Sequence, residues 1–311
     1  MNATPQPDAK GRLPRIWLFL QKPWAEKIEL LHFRWARFVT NIPVPVHLSF
    51  GAWWIGRSDN VGEPLRAGTF ETPEIAFVER LLQPGMTVLD LGAHHGLYSL
   101  LASKRVGSGG RVFAFEPSPR EQRAFRLHLL LNRCRNVVLQ ELALGEKDTE
   151  ADLYVVDRWA AGCNSLRPPD VPARTSLKRV RVVRLDDWLT ERKIDCVDFI
   201  KMDVEGAELG VLKGASRLLE RRPRSIILTE VQDVRTRPWG YGGKDILDHL
   251  SVRGYKWFQL LPNGFVEELD VSRQVFDGNF IACPEERLAV LDQMNQRLSS
   301  DRRARLQPRG E

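Results

Sequence analysis

The chain is poor in cysteine. Its four thiols, Cys134, Cys163, Cys196 and Cys283, lie far apart and form no Cys-x-x-Cys pair. That excludes a disulfide framework and a thiolate zinc site, and leaves reduced thiols as the expectation. Long apolar runs are lacking too, so nothing reads as a membrane span. No secretory leader pattern opens the chain, and a cytoplasmic protein is expected. Charge of one sign is also missing: 46 Lys and Arg stand against 40 Asp and Glu, a net charge of +6 spread along the sequence. This mild bias supplies no dedicated nucleic-acid-binding segment. What is present is a 43% hydrophobic content over 311 residues, enough for a full core. One large α/β domain with an N-terminal extension fits that length better than two independent domains.

The chain is organised around residues 87–99. Thr87 to Leu91 is short, apolar and closed by glycine, which reads as a buried parallel strand. Gly92-Ala93-His94-His95-Gly96 follows, and then Leu97, Leu100 and Leu101 begin a helical pattern. Strand, glycine turn and helix present backbone N–H groups and a helix N-terminus to a nucleotide-like ligand. The spacing, however, is Asp-x-Gly-x-x-x-Gly, without the three glycines of a dinucleotide fingerprint. Asp90 at the strand end repels a phosphate and suits an amine or a sulfonium. That chemistry points to S-adenosylmethionine rather than NAD.

Before this stretch, residues up to about 13 are polar. From residue 16 to 39, Trp24, Ile28, Leu31, Trp35 and Phe38 recur at helical intervals among Lys and Arg. Such a helix packs on its own domain or a second subunit, the commoner case, or lies on an anionic membrane surface. Residues 47–57 read as a strand. Thr72-Pro73-Glu74 starts a helix that stops at Pro84-Gly85. Further strands are expected at 111–116, 137–142, 196–203, 225–231, 255–261 and 279–283. Helices are expected after Ser118-Pro119-Arg120-Glu121, a capping box, at 206–220 and at 245–253. Alternation of this kind predicts a doubly wound, mostly parallel α/β sheet. Two strand-like runs at 152–156 and 179–185 flank a long loop around Cys163-Asn164-Ser165, and long loops in compact domains are commonly functional. The divisions expected are 1–70 for the extension, 71–285 for the main domain and 286–311 for a C-terminal helix and basic tail.

In open α/β sheets ligands sit outside the carboxyl ends of the strands. That edge collects Asp90, Glu116, Glu141 to Ala143, Asp203 and Glu230 from five strands. Glu116 is placed to accept both hydroxyls of a ribose, Asp90 and the Gly92 turn to meet an amino acid end, and the backbone near Leu142 and Ala143 to meet an adenine. Asp203 and Glu205, two residues apart, are the first candidates for a general base, with Glu230 and His95 as further ones. The same three carboxylates could ligate a divalent cation, but no further ligand is evident and no metal is expected. Asn164, Trp239 and Tyr241 are candidates for binding an acceptor, or else for packing on the sheet.

Asp90-x-Gly92-Ala93-x-x-Gly96-x-Tyr98-Ser99 resembles the first motif of FkbM-type S-adenosylmethionine-dependent methyltransferases. The similarity continues in order through Ala114-Phe115-Glu116-Pro117-x-Pro119, Ala143-Leu144-Gly145, Asn164-Ser165-Leu166 and Lys201-Met202-Asp203-Val204-Glu205-Gly206-Ala207-Glu208, and covers roughly residues 71–283. His94 departs from the pattern, which usually carries asparagine there. The resemblance implies a Rossmann-like class I methyltransferase fold, S-adenosyl-L-methionine as cofactor, and cofactor contacts at Asp90, Gly92, Ala93, Gly96, Glu116, Leu142 and Ala143. It also implies O-methylation of a sugar or natural-product hydroxyl, hence a small-molecule acceptor. The rivals are an N-methyltransferase, a nucleic-acid methyltransferase, and a membrane-surface protein that keeps the fold without turnover. A homo-oligomer and a peripheral membrane contact through the N-terminal helix remain open from sequence.

Overall fold

The computed structural model describes residues 43–56, 61–157, 162–169 and 174–296. The amphipathic stretch at 16–39 and the basic end lie outside the described residues. Among these, eight strands form one sheet in the order β12-β11-β13-β10-β9-β3-β4-β5. Its parallel half is β3 (Thr87–Leu91), β4 (Arg111–Phe115), β5 (Val137–Gln140), β9 (Phe199–Met202) and β10 (Ile226–Gln232). Strands β11 (Tyr255–Leu260), β12 (Val266–Glu268) and β13 (Asp277–Pro284) complete it antiparallel. The fold is a doubly wound, mostly parallel α/β sheet. From β3 the chain works outward to β5, then crosses back so that β9 lies on the other side of β3. That reversal is the topological switch point, where open α/β sheets bind ligands.

Two apolar layers explain why these runs are strands. Val88, Val112, Phe199 and Leu228 face one side, and Leu89, Phe113, Ile200 and Ile227 face the other. A strand buried on both faces has to read as a continuous apolar run. The first layer is covered by helices α2 (Thr72–Leu81) and α3 (Leu97–Val106), and by a hairpin of β1 (Val44–His47) and β2 (Trp53–Gly56) followed by α1 (Gly62–Ala67). Leu48, Trp54 and Leu65 from that preceding segment are buried in it. On the other side, α5 (Leu185–Glu191), α6 (Glu208–Gly214), α7 (Ser216–Glu220) and α9 (Gly243–Ser251) pack, while α4 (Pro119–Asn132) links β4 to β5.

A second sheet, order β6-β8-β7, is built from β6 (Ala143–Leu144), β7 (Thr149–Val156) and β8 (Thr175–Val183). The two runs flanking the long loop are therefore paired strands. Some details differ from expectation. The single helix at 206–220 is split at Ala215, and helix α5 and strand β12 were not foreseen. Ser118 sits at the N-cap of α4 but makes no side-chain cap; its hydroxyl lies 3.5 Å from the Glu121 carboxylate, which Arg120 and Asn164 hold. The four-residue α8 (Asp233–Thr236) follows β10, and residues 288–296 form α10. No helix among the described residues is long and apolar enough to cross a membrane.

Candidate active site

Register places the site. Asp90 on β3 pairs with Lys201 on β9, and Glu230 on β10 pairs with Asn279 on β13. Side chains alternate along a strand, so Asp90, Lys201 and Glu230 project from the face that carries Val88, Phe199 and Leu228. Asp203 lies one residue past β9, its N–H bonded to the Leu91 carbonyl at 2.9 Å. The turn after β3 passes so close to it that a Cβ on Gly92, whose φ is +80°, would stand 1.8 Å from the Asp203 carbonyl oxygen. Only glycine fits there.

Over these strand ends lies a cavity of about 280 Å³, near the lower end of the range for small-molecule sites. Of the residues singled out for the cofactor, Asp90, Gly92, Ala93, Glu116, Leu142 and Ala143 line it. Gly96 is not among the lining residues: at φ +87° it caps α3, and the Phe125 ring fills the space a side chain would need. Of those singled out for chemistry, Asp203, Glu205, Glu230 and His95 all line it.

At one end the acids are almost wholly buried. Asp90, 2% exposed, accepts the Ser99 hydroxyl at 2.6 Å, and burial pushes its carboxyl up to about 6. Glu116 accepts the N–H of Ser118 at 2.7 Å and of His94 at 2.8 Å, one on each oxygen. Burial nonetheless wins over those donors and lifts it to about 8. A carboxylate offers about four lone-pair sites, so Glu116 keeps capacity for ligand hydroxyls.

At the other end Asp203, Glu205 and Glu230 bring carboxylate oxygens within 4.8 Å of one another. Two cations of the chain already answer that charge. Lys201 Nζ is 3.4 Å from Asp203 Oδ2, and Arg235 Nε is 3.1 Å from Glu205 Oε2. Burial, then the Asp203 charge, push Glu230 up to about 10, and burial also raises Glu205. The loop is pinned from outside: the Ser165 hydroxyl donates to the Glu205 carbonyl at 2.7 Å, and the Tyr241 hydroxyl to the Gly206 carbonyl at 2.5 Å.

His95 belongs to a different part of the wall. Its ring stacks on His94 at 3.8 Å, and the Trp54 ring is 6.0 Å away. Its carbonyl meets His128 Nδ1 at 2.8 Å, while His128 Nε2 accepts the Ile55 N–H. With one nitrogen accepting, the other must donate, so His128 is held neutral. His95 is thus separate from the three carboxylates.

Other candidates are placed elsewhere. Glu141 is exposed and pairs with Arg126, away from the cavity. Tyr241 is spent on the Gly206 carbonyl and the Leu209 N–H, and Trp239 stacks under Arg167; neither lines the cavity. Asn164 does line it, but its amide bridges Glu121 and the Val156 N–H. Sequence reasoning missed Lys201, Glu71, Tyr98, Arg235 and Trp54, which also line it. For Lys201 there was a signal: one lysine in the otherwise apolar strand Phe199-Ile200-Lys201-Met202 has to find buried partners.

Residues 90–257 match the model of the methyltransferase FkbM domain, more than half of the chain. The chain belongs to the FkbM methyltransferase family. Over 181 residues it is 30% identical to the 31-O-demethyl-FK506 methyltransferase FkbM of Streptomyces tacrolimicus, covering 49% of this chain and 68% of that protein. The 2-O-methyltransferase NoeI of Sinorhizobium fredii is 27% identical over 169 residues, 50% of this chain and 67% of NoeI. A ribosomal RNA large subunit methyltransferase E of Sorangium cellulosum is 47% identical, but over 58 residues, 19% of this chain and 27% of that protein. The FkbM domain uses S-adenosylmethionine, and the residues here fit it. The carboxylates of this lining suit a sulfonium and an ammonium, and buried Glu116 has acceptor capacity for a ribose.

Proposed function

We propose that this FkbM-family protein transfers a methyl group from S-adenosylmethionine to a neutral hydroxyl of a small acceptor, a sugar or natural product. The observation that carries this reading is the acidic, half-enclosed cavity with Asp203 beside Lys201 at the switch point. The two cations of this lining, Lys201 and Arg235, are already engaged by its carboxylates, which weighs against a phosphate-bearing acceptor.

The cofactor supplies an electrophilic methyl group when bound. Asp90, the Gly92 turn and Glu116 would hold it, with Leu142 and Ala143 beside its base. Asp203 is the group best placed to take the proton of an acceptor hydroxyl, a contribution on the order of 10²–10⁴-fold. Glu230, pushed up to about 10, carries a proton at neutral pH and serves as a donor. Glu205 is engaged by Arg235 and shapes the cavity wall. Positioning by the walls supplies a further part of the rate. An amine acceptor is the second reading, since the same acids attract an ammonium.

Radiolabelled methyl transfer to a panel of methyl glycosides, amino sugars, sugar phosphates and short RNA separates these readings. Neutral glycosides are expected to accept label, and Asp203→Asn to lower kcat at least about 100-fold with cofactor affinity changed less than about threefold. Label on RNA or sugar phosphates alone would contradict the reading.

A further inference from the structure

We propose that Lys201 is a positioning residue of this site, a built-in counter-charge that holds the converging carboxylates of Asp203, Glu71, Glu230 and Asp90 together in one cavity. The inference rests on the reading of the cavity as the cofactor and acceptor site. Lysine is almost never fully buried unless paired, and Lys201 is 2% exposed. Its ammonium has no single close partner. It stands 3.4 Å from Asp203 Oδ2, 3.4 Å from Asn279 Oδ1 and 5.2 Å from the centre of the Tyr98 ring. A dedicated ion pair closes to about 2.7–2.9 Å. Lys201 instead sits among acids contributed by separate elements: Glu71 ahead of α2, Asp90 on β3, Asp203 after β9 and Glu230 on β10. The second layer ties back to it, since Tyr98 donates to Glu71 and Asn279 donates to Glu74.

Burial alone would lower the Lys201 ammonium, but Asp203, Glu71, Glu230 and Asp90 outweigh it and hold it above its ordinary value. The acids respond in kind: burial raises Glu71, Asp90 and Glu230, and Lys201 opposes the rise in each. The sign for stability follows. A carboxyl raised on folding contributes fully below its unfolded value, about 4, and that contribution is lost as pH climbs through the folded values, about 6 for Asp90 and about 10 for Glu230. Lys201 limits that loss. Without it, repulsion among the acids grows with every proton released, while near pH 5 Asp90 and Glu230 still hold their protons and less is missing.

The test uses full-length protein, Lys201→Met and Lys201→Arg, melted at about pH 5 and about pH 8.5. The expected result for Lys201→Met is a melting temperature within about 2 °C of the parent at the lower pH and about 8 °C or more below it at the higher, with Lys201→Arg restoring at least half. Calorimetry at the higher pH reads the same charge through ligands. S-adenosylmethionine carries a sulfonium that S-adenosylhomocysteine lacks, so the ratio of their affinities should move about threefold or more toward the cation in Lys201→Met. A loss of equal size at both pH values, or an unchanged ratio, overturns the proposal. Failure of the parent to bind either ligand would instead count against the cofactor reading.

Discussion

Glu116 concentrates the conflict that makes this site work. A carboxylate at the end of β4 is wanted for ligand hydroxyls, yet it is 5% exposed and lifted to about 8 by burial. Two backbone N–H groups keep it aimed. Because ligand hydroxyls donate to the ionised form, affinity for S-adenosylhomocysteine should rise between about pH 7 and 9 in the parent. Glu116→Gln should lose about 10- to 100-fold in affinity and show a flat profile, measured by calorimetry. Asp90 and Glu116 were legible as candidates because position after a strand decides their place. Lys201 was not singled out, since its role depends on acids brought in from four other places in the chain. The cluster of Trp54 and His95 in the wall with His128 behind them was equally hidden: its members are far apart in sequence and meet only through packing.

At the scale of elements, the turn between β3 and α3 is the least tolerant piece. Its N–H groups at Gly92 and Ala93 both reach the Phe115 carbonyl, and the Asp203 carbonyl lies against Gly92. Gly92→Ala has both a positive φ and a 1.8 Å overlap with backbone to relieve. It should cost at least about 2 kcal/mol in denaturant unfolding and abolish cofactor binding. An unchanged midpoint would mean the turn is looser than drawn. The parallel strands were readable because burial on both faces writes a continuous apolar run. Helix α5 was not, because Leu185-Asp186-Asp187-Trp188 looks like the end of a strand. Its Asp186 carboxylate instead receives the N–H groups of Arg217 and Leu218, so a tertiary partner decides the element. Similarly, the glutamate of the expected capping box is drawn away from the helix start by Arg120 and Asn164.

For the whole molecule, the doubly wound sheet gathers at one edge what five strands and the segment before α2 carry separately. The two covering layers bury much of that edge, and burial raises Glu71, Asp90, Glu116 and Glu230. The structure supports an acidic, cation-receiving pocket at the switch point, and the FkbM family supplies the cofactor that suits it. The most direct measurement is a calorimetric titration of the full-length protein with S-adenosylhomocysteine, with NAD as the control. Binding at a Kd of about 10 μM or tighter, and none with NAD, is the result expected. Binding of NAD with no binding of S-adenosylhomocysteine would contradict the account.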